Sequence, residues 1–289
     1  MKLALSRIVG DTPLVRISEK IYGKLETTNP SGSVKDRLVA YIVSHALEKK
    51  EITSRSRLIE ATSGNTGISL SMIGADLGLP VTIIMPSNMS EERRQMMRAY
   101  GAEIIDVAPS DFQAAIDLKK EMMTQDDRWW SPNQFSNPVN IDCHFYTTAP
   151  EIHKQAGPSW SAFVHGAGTG GTIMGVKRFI DSRQLNVKTC LVVPEEELHG
   201  IQGIGDGQDF LVNRDKIDDV CVISTQDAIQ RAKRIAQDTG LLVGISSGAN
   251  VLAAERWVGQ NDPEGVVITM LCDRGERYMS IYNSEVDSE

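Results

Sequence analysis

The stretch Ala162-Phe163-Val164-His165-Gly166-Ala167-Gly168-Thr169-Gly170-Gly171-Thr172 reads as a short apolar strand, a glycine-rich turn and the opening of a helix to about Ser182. The same pattern recurs outward from it. Residues 57–61 form a strand candidate before the turn Thr62-Ser63-Gly64-Asn65-Thr66-Gly67, and 68–79 form a helix with Ile68, Met72, Ala75 and Leu79 on one stripe. Residues 81–85 read as a strand buried on both faces and stopped by Pro86; Ser90 caps a helix ended by Gly101. Residues 104–107 read as another buried strand, and Ser110 with Gln113 as a capping box opening a helix to about Thr124. Beyond the quoted stretch, 190–193, 220–223 and 266–271 are strands, and 227–237 is a helix with Ala228, Ala232 and Ile235 inward. This alternation predicts an α/β fold with parallel sheets flanked by helices. The turn-rich residues 129–138 divide two such blocks, so two α/β domains with a site in the cleft between them are expected.

Composition narrows the function. The 289 residues suit one large or two modest domains, and 41% hydrophobic with 24% charged residues suits a globular chain. The net charge of −8 disfavours nucleic acid and anionic membrane as partners. No apolar run approaches the ~20 residues that span a bilayer. Residues 1–10 are interrupted by Arg7 and lack a long apolar segment, so no signal peptide is expected and the cytoplasm is the default location. Cys143, Cys190, Cys221 and Cys272 make no C-x-x-C pair and read as buried thiols in a reducing compartment; with five scattered histidines, no metal is expected.

Three βα turns and one lysine carry the chemistry. The glycine-rich turn contains a formal G-x-G-x-x-G at Gly166, Gly168 and Gly171, and Glu195 lies past the next strand, where a dinucleotide fold keeps its ribose acid. Amides at a helix N-terminus hold any phosphate, so the loop alone leaves mononucleotide, dinucleotide and other phosphates open. No G-K-[ST] follows, which excludes an NTPase P-loop. Lys35, in Asn29-Pro30-Ser31-Gly32-Ser33-Val34-Lys35-Asp36-Arg37, falls in the first turn of a helix whose inward stripe is Leu38, Val39, Ile42, Val43, Ala46 and Leu47. The positive end of a helix is a poor place for a cation and favours the neutral amine that Schiff-base chemistry needs. The plainer alternative is a solvated lysine balanced by Asp36. The turn 62–67 offers amides and hydroxyls to a carboxylate, and Gly244-Ile245-Ser246-Ser247-Gly248 is a third turn before a helix; either reads equally as an ordinary connection. Gln134 lies in the loop between the blocks.

At these positions the chain resembles the cysteine synthases (O-acetylserine sulfhydrylases) and the related cystathionine β-synthases, pyridoxal-phosphate enzymes of fold type II with a tryptophan synthase β-like architecture. The similarity runs from Gly10-Asp11-Thr12-Pro13-Leu14-Val15 through residues 29–37, 62–67, Gln134-Phe135, Thr147-Thr148, 168–172 and 244–248 to Cys272-Asp273-Arg274-Gly275-Glu276-Arg277-Tyr278. It displaces the dinucleotide reading of the loop. It implies pyridoxal 5′-phosphate as cofactor, with Lys35 as the Schiff-base and proton-shuttling residue and Asn65 on the cofactor's 3′ oxygen. Gly168, Thr169, Gly170, Gly171 and Thr172 would take its phosphate and Ser246 its ring nitrogen. Thr62, Ser63, Thr66 and Gln134 would take the substrate carboxylate. It also implies a smaller mobile domain, 36–140, carrying the carboxylate turn, and a larger one, 1–35 plus 141–289, carrying the phosphate loop.

The reaction so implied is β-replacement on an activated serine, O-acetylserine first, with sulfide or another thiol, giving L-cysteine by a ping-pong course. A neutral serine at the ring nitrogen favours prompt β-elimination over a long-lived carbanion. The alternatives are a cystathionine β-synthase-like condensation of serine or O-acetylserine with homocysteine and, from another class, a non-catalytic partner of serine acetyltransferase; a dehydratase of the same fold and a NAD-dependent dehydrogenase are more distant. A homodimer is implied by the family alone. The chain departs from the family at Asn137-Pro138-Val139-Asn140-Ile141, which lacks a second proline, at Ala149 in Thr147-Thr148-Ala149-Pro150-Glu151, in a short segment between Val15 and Lys24, and in a short C-terminus. Subtype signals conflict. His199-Gly200-Ile201-Gln202-Gly203-Ile204-Gly205 looks A-type, and Gly205 argues against a phosphorylated substrate; Pro194-Glu195-Glu196 and the Cys272 motif look B-type.

Overall fold

The computed structural model describes residues 3–205 and 210–284; residues 1 and 2 of the start segment weighed above lie outside them. In chain order the strands and α-helices run β1 (Leu14–Arg16), β2 (Ile21–Leu25), α1 (Lys35–Glu48), β3 (Arg57–Ala61), α2 (Asn65–Leu77), β4 (Val81–Pro86) and α3 (Glu91–Ala99). Then follow β5 (Glu103–Val107), α4 (Phe112–Gln125), β6 (Trp129–Trp130), α5 (Val139–Tyr146), α6 (Thr148–Ala156), β7 (Trp160–Gly166) and α7 (Gly171–Ser182). The chain closes with β8 (Lys188–Pro194), β9 (Asp219–Ile223), α8 (Thr225–Thr239), α9 (Ile245–Asn261), β10 (Val266–Leu271) and α10 (Met279–Ser284). It divides into two compact units: Met1–Val9 with Asn29–Asn137, and Gly10–Thr28 with Pro138–Glu289.

The first unit holds a four-stranded sheet in the order β5-β4-β3-β6, all parallel. Every residue of β4 is buried, as its unbroken apolar run requires for a central strand. β5 was expected to be buried on both faces; it is instead the sheet edge and is partly exposed along its length. An apolar run cannot distinguish a central strand from an edge strand covered on one face. α2 starts at Asn65 and ends at Leu77, not Leu79. Gly78 takes a left-handed φ of 66°, and the amide of Leu79 returns to the carbonyl of Gly74 at 2.9 Å, a helix-terminating arrangement. Residues Thr66 to Gly74 are all buried while Ala75 is exposed, so α2 is enclosed rather than striped. Ser90 caps α3 as expected. The cap of α4 is Asp111, whose carboxylate accepts from the amide of Ala114 at 2.8 Å; Ser110, the expected cap, takes a left-handed φ of 60°. The expected divider 129–138 contributes β6 to this sheet.

The second unit holds a six-stranded sheet in the order β1-β2-β10-β7-β8-β9. Only β1–β2 is antiparallel. β2 and β10, more than two hundred residues apart, pair in parallel (Ile268 opposite Tyr22), a long-range match that local pattern cannot signal. α9 packs on this sheet with Ala249, Ala253 and Ala254 buried, and α8 buries Ala228, Ala232 and Ile235 as predicted. Burial of each large aliphatic side chain in such a core contributes about 1.5–3 kcal/mol against a comparable loss of chain entropy.

Candidate active site

The turns 62–67 and 167–170 leave the carboxyl ends of the parallel strands β3 and β7, the usual place for ligands in such folds; the turn 244–248, expected at such a junction, instead joins α8 to α9, and Lys35 opens α1 beyond the loop 26–34. In the first unit, β3 delivers the turn 62–67. The amide of Thr62 is tied to the carbonyl of Ile84 on β4 at 3.0 Å, and the amide of Gly64 takes the hydroxyl of Thr62 at 3.3 Å. Asn65 opens α2 and is half-buried. Thr66 is buried, and its hydroxyl donates to Oε1 of buried Gln134 at 2.7 Å. Two residues 68 positions apart, both singled out above, therefore touch. Gly67 leaves room for Met97: a Cβ there would stand 2.7 Å from its Cε.

Lys35 is the first residue of α1 and half-buried, with its amide 3.3 Å from the hydroxyl of Ser33. Asp36, the counter-charge of the plainer reading, is turned fully inward. It accepts from the amide of Ser31 at 2.7 Å, from the hydroxyl of Ser69 at 2.5 Å and from the hydroxyl of Ser31. Its role is to lash the loop 29–34 to α2. Gly32, at φ 87°, completes that loop by returning its amide to the carbonyl of Asn29 at 2.8 Å.

In the second unit, β7 delivers the glycine-rich turn into α7, which begins at Gly171 rather than Thr172. Glycine is required at three places. Gly170 sits at φ 91° against Val212; a Cβ on Gly168 would stand 2.6 Å from the carbonyl of Gly203; a Cβ on Gly171 would stand 1.8 Å from Oδ1 of Asn140. Asn140 donates through Nδ2 to the hydroxyl of Thr169 at 2.9 Å. The hydroxyl of Thr172 lies 3.2 Å from Nε2 of His144, whose Nδ1 lies 2.8 Å from the hydroxyl of Thr148. Gly244 and Ser246, at the start of α9, are held beside the end of β10: the amide of Gly244 donates to the carbonyl of Asp273 at 3.0 Å and the amide of Cys272 to the hydroxyl of Ser247 at 2.9 Å. Asn250, one turn further along α9 and fully buried, accepts from the amide of Gly166 at 2.8 Å and donates to the carbonyl of Met270 at 3.0 Å. It thereby fixes the root of the glycine-rich loop to the strand beside Ser246.

Asn140, His144 and Asn250 were not singled out from the sequence as site residues. A polar residue one helical turn beyond Ser246, inside an otherwise small and apolar stretch, was the available signal for Asn250. Glu195, the candidate ribose acid, is exposed on the wall of a cavity of about 510 Å³ that also touches Ala167, Ile204, Gly205 and Arg214. Its neighbour Glu196 serves α8: hydrogen bonds from the backbone of Thr225, at 2.9 and 3.1 Å, hold its carboxyl below the ordinary range against a smaller opposing effect of burial. Burial, with Cys221 and Asp219 nearby, pushes the Cys190 thiol up to about 12, so it is inert at neutral pH. The four cysteines are free thiols. Among the described residues, no group of three His, Cys, Asp or Glu is placed to hold a metal, and no helix is long and apolar enough to cross a membrane.

The residues present fit pyridoxal phosphate. Glycines whose Cβ atoms would collide, two buried threonine hydroxyls and the N-terminus of a twelve-residue helix form an anion cradle, and a lysine and a serine open helices elsewhere in the chain.

The comparisons with known proteins agree. Residues 5–273 match the model of the family described as pyridoxal-phosphate dependent enzyme. The chain is 40% identical over 288 residues to cysteine synthase B of Escherichia coli (strain K12), covering 96% of this chain and 94% of that one. It is 39% identical to cysteine synthase B of Campylobacter jejuni, covering 96% of each. It superposes on the crystal structure of cysteine synthase from Entamoeba histolytica with a TM-score of 0.90 at 35% identity, covering 97% of this chain and 90% of that one. By the family model over residues 5–273 and the likeness to cysteine synthase B along nearly its whole length, the chain belongs to the pyridoxal-phosphate dependent enzymes, among the cysteine synthases.

Proposed function

We propose that this chain catalyses β-replacement on O-acetylserine with sulfide or another thiol, giving L-cysteine. What supports the reading most directly is likeness to cysteine synthase B over 96% of the chain, together with the contact of Gln134 with Thr66 on the turn that would receive the substrate. Pyridoxal phosphate, when bound, supplies the electron sink that makes an α-proton acidic.

The chain's own residues do the rest. Nζ of Lys35 would hold the cofactor and, once free, would take the α-proton as general base. The α7 N-terminus, with Gly168, Thr169, Gly170, Gly171 and Thr172, binds the phosphate; Asn140 and His144 hold the two threonine hydroxyls in place. Asn65 would hydrogen-bond the 3′ oxygen. A neutral Ser246 hydroxyl at the ring nitrogen would leave the ring unprotonated and favour departure of the β-substituent. Thr62, Ser63, Thr66 and Gln134 bind the substrate carboxylate through hydroxyl, amide and carboxamide donors.

A homodimer, a cytoplasmic location and serine acetyltransferase as a partner go with this proposal; sedimentation of the protein alone and with a serine acetyltransferase tests the two assemblies. For the reaction, the visible spectrum of the protein loaded with pyridoxal phosphate should shift when O-acetylserine is added and return with sulfide as L-cysteine appears. A spectrum unmoved by O-acetylserine, or product formed only with homocysteine, would overturn the assignment.

A further inference from the structure

An enclosed charge pair in the first unit lies beneath the turn that would receive the substrate. Glu60 is the fourth residue of β3 and 3% exposed. Its Oε1 accepts from Nζ of Lys119 at 2.7 Å and from the amide of Ala61 at 3.0 Å; its Oε2 accepts from the hydroxyl of Ser131 at 3.2 Å and from the amide of Asn133 at 3.1 Å. Lys119, on the inward face of α4 one turn after buried Ala115, also reaches the hydroxyl of Ser131 at 3.3 Å and Oδ1 of Asn133 at 3.1 Å. An ion pair this enclosed is costly to desolvate, and an apolar pair of equal volume serves stability as well or better. Its placement points to another role.

β3 and β6 are paired over only two residues, Arg57 with Trp129 and Leu58 with Trp130. Beyond that ladder the two chains part. One becomes the turn 62–67, the other the segment 131–134 that ends in Gln134. Glu60 spans the gap, and Lys119 clamps it from α4. Asn133, with a left-handed φ of 48°, then reverses the chain so that Gln134 meets Thr66.

We propose that Glu60 and Lys119 are positioning residues for amino-acid substrate recognition: through Asn133 they set the distance between the turn 62–67 and Gln134, and so tune the subsite for the substrate carboxylate. The inference rests on the carboxylate-binding role assigned to Thr62, Ser63, Thr66 and Gln134 above.

The test uses the enzyme loaded with pyridoxal phosphate and two ligands, L-alanine and L-alaninamide, which differ in the carboxylate alone. Dissociation constants are read from the cofactor's visible band. Lys119→Met should weaken L-alanine on the order of tenfold, the loss of a charge-assisted contact, and leave L-alaninamide and cofactor affinity unchanged. Asn133→Gly, at an exposed residue and with the left-handed backbone retained, should do the same to a lesser degree, and it carries the test if Lys119→Met fails to fold. Lys119→Arg should restore part of the discrimination. Gln134→Ala serves as the control for the carboxylate site. If Gln134→Ala abolishes discrimination between the ligands while the folded Lys119 and Asn133 variants keep it, the positioning role is wrong and the carboxylate site stands. If Gln134→Ala also changes nothing, the carboxylate site itself is misassigned. Equal weakening of both ligands by Lys119→Met would make the pair merely structural.

Discussion

Two turns in this molecule follow the same design and are built differently. The turn 62–67 leaves β3 and the turn 167–170 leaves β7; each enters a helix at the carboxyl end of a parallel strand. In the first, residues 62 to 65 are only half-buried, and a Cβ added to Gly64 would meet nothing within 4 Å. The polar groups of residues 62, 63 and 65 are side-chain hydroxyls and a carboxamide, and of the turn's polar side chains only Thr66 is buried, against Gln134. In the second, Thr169 to Thr172 are buried and the glycines are packed to contact against Gly203, Val212 and Asn140. The proposed roles account for the difference: a turn that received and released a small substrate would need open space and adjustable side chains, and one that held a resident phosphate would be served by a rigid backbone cradle whose amides need no adjustment.

The largest test of this contrast is at the lysine. Lys35→Ala should lower L-cysteine formation by about 10³-fold or more, the loss of a general base and covalent anchor, while the phosphate cradle still retains some cofactor. Borohydride treatment should then leave no cofactor attached to the chain; covalent attachment at another residue would move the anchor. Next come the two turns themselves. Gly171→Ala should cost about 1–3 kcal/mol, since its Cβ must displace Asn140, and should weaken cofactor binding. Gly64→Ala should stay within about 0.5 kcal/mol of the parent in denaturant unfolding. Equal costs would erase the distinction between an open and a packed turn.

A smaller effect is expected inside the open turn. Thr66→Val removes the hydroxyl that donates to Gln134 and should raise the KM for O-acetylserine about fivefold, with cofactor affinity unchanged. The smallest concerns pH and touches the second unit only. Burial would raise the pKa of Asp218, but hydrogen bonds from the amide and hydroxyl of Thr189, with Lys188 nearby, outweigh it and hold the carboxyl below its ordinary value. A carboxyl lowered on folding stabilises the fold at pH above its unfolded value, and that contribution disappears as pH falls through the lowered one. Asp218→Asn should therefore cost about 0.5–1 kcal/mol at neutral pH and little in strong acid, checked by urea unfolding at both.

Much of this was legible in the chain. The periodicities of 81–85, 162–165 and 227–237 reflect burial patterns that a strand or helix must show whatever surrounds it, and they match β4, β7 and α8. Boundaries were less legible. Asp111 and Ser110 are both sound capping residues by local chemistry, and only the backbone path chose between them. Ala75 was expected inward and lies outward: α2 is enclosed from Thr66 to Gly74, and its exposed part is the last turn before Gly78. The burial of Lys119 is not legible in the sequence, because a lysine is normally solvated; that it occupies the inward position after Ala115 has meaning only with Glu60 opposite it.

By itself, the sequence determined the chemistry's vocabulary: a lysine in the first turn of a helix, glycines where no side chain is tolerated, and hydroxyl-rich turns after apolar strands. These are local consequences of backbone sterics and helix electrostatics, so nearby residues suffice to specify them. Tertiary structure alone decided what those residues meet. The pairing of β2 with β10, the hold of Asn250 on the phosphate loop, the contact of Thr66 with Gln134 and the burial of Glu60 with Lys119 all join residues far apart in the chain. Their partners are chosen by packing over the whole fold, which no local pattern encodes.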